Sequence, residues 1–96
     1  MEQQHVLETI GRHPELPVVT QWWGAGYDII YLLPSSTTWY VTNDERSIAR
    51  MKAIVAMNKR FIKNDVFYTR VSELCKQLIN SPAYEMYLCN EDRNNP

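Results

Sequence analysis

The stretch VVTQWWGAGYDIIYLLPSSTTWYVT, residues 18–42, decides the predicted fold because it contains three strand-like segments in a row. β-branched and aromatic residues dominate the segments 18–23, 27–33 and 37–42. The turns between them are short, one containing two glycines and the other Pro34. Such short connections favour antiparallel neighbours. The sequence therefore predicts a three-stranded antiparallel meander.

Helices are predicted on both sides of this meander. A first helix covers residues 2–13 and ends there because the residue before Pro14 disfavours helical geometry. A second helix begins at a cap at residue 43 or 44 and runs to about residue 61, with apolar residues at helical spacing. A third helix is predicted up to residue 79. Residues 84–89 fit either a further helical segment or a fourth strand, and we favour the helix.

The expected fold class is α+β: a small two-layer domain with one helix before the meander and two after it (α-β-β-β-α-α). The 96 residues, 45% of them apolar, suit one domain of this size. We assign residues 1–90 to it and residues 91–96 to a flexible C-terminal tail.

Both faces of the predicted sheet carry large apolar or aromatic side chains, although a sheet covered on one face should alternate with polar residues. Two explanations are open. Helices flank both faces, or one face is left open and binds a partner or a second copy. The candidate partner-binding residues share aromatic side chains, which are common in binding hot spots. They are Trp22, Trp23, Tyr31, Trp39 and Tyr40.

The charges are unevenly distributed along the chain. The net charge of −1 combines −5 over residues 1–45, +6 over residues 46–80 and −2 over residues 81–96. A basic helix over residues 46–63 could follow the phosphates of a nucleic acid or face an acidic partner. Its basic residues are Arg46, Arg50, Lys52, Lys59, Arg60 and Lys63. Near-neutral total charge and the lack of a known nucleic-acid motif count against nucleic-acid binding.

The sequence offers little for catalysis or metal binding. His5 and His13 are too far apart on one helix to share a metal ion, and no CxxC motif is present. We expect Cys75 and Cys89 to be reduced thiols; the alternative is a disulfide, which requires the last two segments to fold back on each other. We expect no catalytic residue, metal or cofactor. An enzyme would need a cluster joining a histidine to Cys75 or to a carboxylate.

The longest apolar stretch, residues 27–33, is too short to span a membrane, and the first residues lack the features of a signal peptide. We therefore expect a cytoplasmic protein. The favoured function is a non-catalytic intracellular interaction module that binds and inhibits or regulates a larger protein. Phage or mobile-element anti-defence and host-takeover factors, antitoxins and immunity proteins are of this type. Self-association through the sheet is compatible with it. The alternative is a nucleic-acid-binding regulator that uses the basic helix 46–63.

Overall fold

The computed structural model describes residues 2–21, 30–31, 33–60 and 66–89. Within these ranges the chain forms three helices and five strands. In chain order they are α1 (Glu2–Gly11), β1 (Val18–Gln21), β2 (Trp39–Thr42), α2 (Glu45–Arg50), β3 (Ala53–Asn58), α3 (Val66–Leu74), β4 (Lys76–Asn80) and β5 (Tyr84–Cys89).

The five strands form one mixed sheet in the order β2-β1-β3-β5-β4. β1 lies parallel to both β2 and β3, whereas β5 is antiparallel to both β3 and β4. The prediction of a three-stranded antiparallel meander is therefore wrong. The segments at 18–21 and 39–42 are strands, but they pair in parallel. Most of the predicted strand 27–33 lies outside the described residues, and Ile30, Tyr31 and Leu33 belong to no strand.

The predicted helix over residues 43–61 is also wrong, because its second half is the central strand. α2 has six residues, and Ala53–Met57 in β3 are all fully buried. A continuous apolar run of this length is compatible with a buried strand or a buried helix, so periodicity cannot separate the two. The third helix stops at Leu74 rather than at residue 79, and residues 76–80 and 84–89 form two antiparallel strands that pair with each other rather than helices.

The sheet is covered on both faces, so the domain has three layers rather than the two predicted. α1 packs on one face, called here the α1 face, whose core is Val6, Ile10, Leu16, Val18, Ile54, Ala56, Ile79, Tyr84 and Met86. α2 and α3 pack on the opposite face, whose core is Val19, Ile48, Ala53, Val55, Met57, Phe67, Val71, Cys75, Tyr87 and Cys89. Of the two explanations for the apolar faces, helices on both sides is the one that the structure shows.

A disulfide joins Cys75, just after α3, to Cys89 at the end of β5. The two residues continue the β4–β5 ladder by one pair beyond Lys76 and Leu88, and their Cα atoms are 4.5 Å apart. The last two segments therefore fold back on each other, and the expectation that the two thiols are reduced is wrong. The predicted tail, residues 91–96, lies outside the described residues.

Candidate functional site

Among the described strands, β2 lies at one edge of the sheet, and none of its four residues is buried. All four residues of β1 beside it are buried, while Trp39 and Tyr40 have exposed fractions of 43% and 49%. Large aromatic side chains with this exposure are uncommon on a surface that serves only solubility, and they are frequent in binding sites. We call residues Trp39–Thr42 the β2 edge.

The pairing register fixes the direction of each side chain of the β2 edge. Trp39 is paired with Val18, whose side chain belongs to the core of the α1 face. Tyr40 is paired with Val19, whose side chain belongs to the core of the opposite face. Because paired residues point to the same face of a sheet, Trp39 and Tyr40 flank the strand on its two sides.

Within the described residues, no strand pairs with the outer side of the β2 edge. The amide of Val18 donates to the carbonyl oxygen of Thr38 at 2.9 Å. In a parallel pair alternate residues bond to the neighbouring strand, so residues 38, 40 and 42 face β1. The amide and carbonyl groups of Trp39 and Val41 consequently point away from the described sheet. They offer two donors and two acceptors to another strand.

The β2 edge also lacks the features that normally prevent edge pairing. Residues 35–42 contain neither a charged residue nor a proline. β4, the outer strand on the other side, begins at the exposed Lys76 and has an irregularity between Gln77 and Ile79. Charged residues and bulges of this kind protect edge strands against association. Of the two edges of the described sheet, the β4 edge therefore carries such protection and the β2 edge does not.

The other predicted aromatic residues do not join this site within the described structure. Trp22 and Trp23 lie outside the described residues. Tyr31 lies in the connection between β1 and β2, outside any strand, with an exposed fraction of 84%. Of the five candidates, the structure thus places Trp39 and Tyr40 next to each other on one strand and Tyr31 at an exposed position outside any strand.

The predicted basic helix does not exist as one surface. Its residues fall into two groups at opposite ends of β3, a six-residue strand that spans roughly 20 Å. Arg50 and Lys52 precede β3, and Lys59 and Arg60 follow it, while Arg46 lies in the first turn of α2 and Lys63 lies outside the described residues. The basic residues therefore do not line one helix, as a continuous phosphate-binding stripe would require.

Arg46 is the basic residue nearest to the β2 edge in sequence, and it is paired with the helix cap. Asp44 Oδ1 accepts the backbone amide of Arg46 at 3.0 Å and lies 3.4 Å from its Nε. The backbone hydrogen bond, followed by side-chain bonds from Ser47 and Arg46, lowers the pKa of Asp44 below its ordinary value despite some desolvation. Asp44 is thus the charged N-cap of α2, two residues after the end of β2.

A buried polar cluster on the opposite side of the sheet escaped the sequence analysis. Oε1 of Glu85 accepts hydrogen bonds from the Tyr87 hydroxyl at 2.7 Å, from Gln77 Nε2 at 3.2 Å and from the Tyr68 hydroxyl at 3.3 Å. Burial, and then the hydrogen bond to Glu85, raises the pKa of Tyr87. Tyr87 therefore keeps its proton and donates to Glu85, and the hydrogen bond from Tyr68 to the same carboxylate ties α3 to the sheet.

The thiol of Cys75, one of the catalytic candidates, is taken up by the disulfide. Cys75 is bonded to Cys89 on the face opposite α1, the helix that carries His5. No group of three or more His, Cys, Asp or Glu residues among them could hold a metal ion. In this part of the chain no helix has the length and apolarity to cross a membrane.

Comparisons with known proteins give no functional information. No protein-family model, curated protein or solved structure matches this chain. The geometry of the described residues is thus the basis for the functional proposal.

Proposed function

We propose that this protein is a non-catalytic interaction module whose β2 edge pairs with an extended segment of a larger protein. The observation that carries the proposal is the outward direction of the Trp39 and Val41 backbone groups on an uncharged edge strand. A segment that adds to such an edge forms main-chain hydrogen bonds, and its alternate side chains meet the flanking residues. This mode of binding requires no pocket and no catalytic group.

The two aromatic side chains supply the apolar part of the proposed interface. Trp39 covers the partner strand from the α1 face and Tyr40 from the other face, so both sides of an added strand lose contact with water. Each amide–carbonyl bond contributes about 0.5–1.5 kcal/mol, and truncating an aromatic hot spot typically costs about 2 kcal/mol or more. We therefore expect the loss of either aromatic side chain, Trp39 or Tyr40, to weaken binding more than the loss of one main-chain hydrogen bond.

Inhibition or regulation of the larger protein, in the manner of antitoxins, immunity proteins or anti-defence factors, is the consequence that we attach to this binding. It is supported by the small size of the domain.

The nucleic-acid alternative is not carried forward, because it rested on a helix over residues 46–63 that the structure replaces with α2 and β3. Disulfides form and persist in oxidising compartments. The Cys75–Cys89 bond therefore favours such a compartment over the cytoplasm that we expected from the sequence.

Capture of the partner from a nuclease-treated lysate of the protein's native cells tests the proposal. Trp39→Lys places a charge on the β2 edge, and edge lysines oppose strand addition. Val66→Lys is the matched control, since Val66 is an apolar residue of α3 with an exposed fraction of 60%. Circular dichroism confirms that each variant is folded.

We expect wild type and Val66→Lys to capture the same protein and Trp39→Lys to lose at least nine-tenths of it. Val41→Pro, which removes one outward amide, should also weaken capture. The proposal is wrong if folded Trp39→Lys and Val41→Pro both capture the partner as well as wild type does.

A further inference from the structure

The β2 edge is complementary to itself. We infer that, when the larger protein is absent, a second copy of this chain occupies the β2 edge and forms a two-fold symmetric dimer with a continuous ten-stranded sheet. This inference rests on the proposed function, because it assigns a competing occupant to the same edge. It follows from the pairing rules of antiparallel strands applied to residues 38–42.

The outward backbone groups restrict the register of such a dimer. A two-fold axis perpendicular to the sheet makes the two β2 strands antiparallel. The residues that point outward, Trp39 and Val41, must then form the hydrogen-bonded pairs across the interface. We call the register with Tyr40 on the two-fold axis the centred register. In it, Trp39 pairs with the partner's Val41, and the reciprocal pair forms by symmetry. Four main-chain hydrogen bonds join the two chains, and Tyr40 lies opposite the partner's Tyr40 on the axis.

Every side-chain pair in the centred register is of a favourable kind. Trp39 beside the partner's Val41 is an aromatic and β-branched pair on the α1 face. The two Tyr40 rings meet on the opposite face, and Thr38 faces the partner's Thr42. Aromatic, aromatic with β-branched, and threonine pairs are the combinations that stabilise neighbouring strands. No charged residue is brought opposite another, since residues 35–42 carry none.

The neighbouring registers are worse. Shifting the strands by two residues in one direction centres the axis on Trp39 and moves the pairing out of the strand to residues 36–37. Shifting them in the other direction centres it on Val41 and places Trp39 opposite the partner's Asn43. That shift also draws the Asp44 cap of α2 into the ladder. The centred register alone pairs residues 38–42 completely.

The dimer would be closed and reversible. An isologous contact uses the same surface on both chains, so the dimer covers the β2 edge of each chain. The outer strand β4 is protected from pairing by Lys76 and by its irregularity, so the dimer does not grow further at that edge. An interface of one short strand is small, so we expect dissociation in roughly the micromolar range. Dimerisation and binding of the larger protein would then exclude each other, and the protein concentration would set how much free edge is available.

Sedimentation equilibrium and cysteine cross-linking of the purified chain test the inference. Both cysteines of the chain are in the disulfide, so an introduced cysteine is a unique free thiol. In the centred register the two residues at position 40 have Cα atoms about 4.5 Å apart, within disulfide range, while those at position 42 are about 14 Å apart. Tyr40→Cys and the control Thr42→Cys lie on the same face of the same strand.

We expect wild type to shift from monomer to dimer with rising concentration, and Trp39→Lys to stay monomeric. Mild oxidation should cross-link Tyr40→Cys at least tenfold faster than Thr42→Cys, with Trp39→Cys and Val41→Cys also slow. Faster linkage of Trp39→Cys or Val41→Cys than of Tyr40→Cys would overturn the register. A wild-type protein that is monomeric up to about 1 mM would overturn the dimer.

The two proposals fail in different ways. If wild type is monomeric but Trp39→Lys still loses the captured protein, the dimer is wrong and the proposed function stands. If Trp39→Lys abolishes a wild-type dimer but captures the larger protein normally, the dimer stands and the proposed function is wrong.

Discussion

Removing the disulfide should destabilise this protein strongly. Cys75 and Cys89 are 14 residues apart in sequence, and the bond between them fastens the end of α3 to β5. Both residues belong to the core shared by α2, α3 and the sheet, with exposed fractions of 7% and 1%. Reduction would leave the side chains in place but free the unfolded chain from its cross-link.

The magnitude follows from the length of the closed loop. For a loop of 14 residues the chain-entropy relation gives about 10 cal/mol/K, or about 3 kcal/mol at 25 °C. A domain of 96 residues has a total unfolding free energy of roughly 5–15 kcal/mol, so the disulfide supplies a large share of it. With a urea dependence of about 1–3 kcal/mol/M, the unfolding midpoint should fall by about 1–3 M.

Urea unfolding followed by tryptophan fluorescence, with and without a phosphine reductant, measures this change. The control is the double variant Cys75→Ala/Cys89→Ala, which should have a low midpoint that the reductant does not alter. The reasoning is refuted if full reduction, verified by thiol titration, moves the wild-type midpoint by less than about 0.3 M. It is refuted equally if reductant moves the midpoint of the double variant.

Three further predictions concern stability. Tyr87→Phe deprives Glu85 of its shortest hydrogen bond and should cost about 1–3 kcal/mol in urea unfolding; a loss below about 0.3 kcal/mol would contradict the role given to the buried cluster. Met86→Ala, at a fully buried site of β5, should cost about 2–5 kcal/mol, and an unchanged midpoint would contradict the packing of the α1 face. The lowered pKa of Asp44 means that its charged form stabilises the fold above its ordinary value of 3.8 and that this contribution is lost as the pH falls through the lowered value. Thermal unfolding should therefore show an advantage of wild type over Asp44→Asn at pH 6 that disappears near pH 2, and an advantage that is independent of pH would contradict this.

The sequence was sufficient for the elements whose pattern is local. The first helix, predicted over residues 2–13, is confirmed as α1 over Glu2–Gly11, and the predicted cap is present at Asp44. Both depend on neighbouring residues: an apolar stripe followed by a proline, and an acidic side chain that accepts an amide two residues on. Neither requires knowledge of the rest of the chain.

The central strand could not be recognised in the same way. Ala53–Met57 are small or apolar at every position, and they are buried by β1 and β5 at their sides and by helices on both faces. The alternation of apolar and polar residues along a strand disappears when both faces of the strand are covered. The alanines favour a helix by local propensity, and the tertiary environment overrides it. The strand at this place in the chain also divides the basic residues that were predicted to share one helix.

The candidate site was partly predictable. Trp39 and Tyr40 stand out in the sequence as aromatic residues of an uncharged strand. Their place at the edge depends on β1 pairing in parallel with both β2 and β3, which short-range patterns do not reveal. The outward direction of the Val41 backbone has no sequence signature at all. Glu85 was overlooked because its donors Tyr68 and Gln77 come from two other elements.

Amide hydrogen exchange along β2 tests the central claim most directly. The account predicts that Trp39 and Val41 exchange rapidly in dilute protein, while Tyr40 and Thr42, whose amides face β1, are protected. Raising the concentration of the chain, or adding the captured larger protein, should protect Trp39 and Val41 at least tenfold and leave the other two amides unchanged. Exchange at Trp39 and Val41 that is slow at every dilution, or that responds to neither addition, would contradict the claim that the β2 edge is the binding surface.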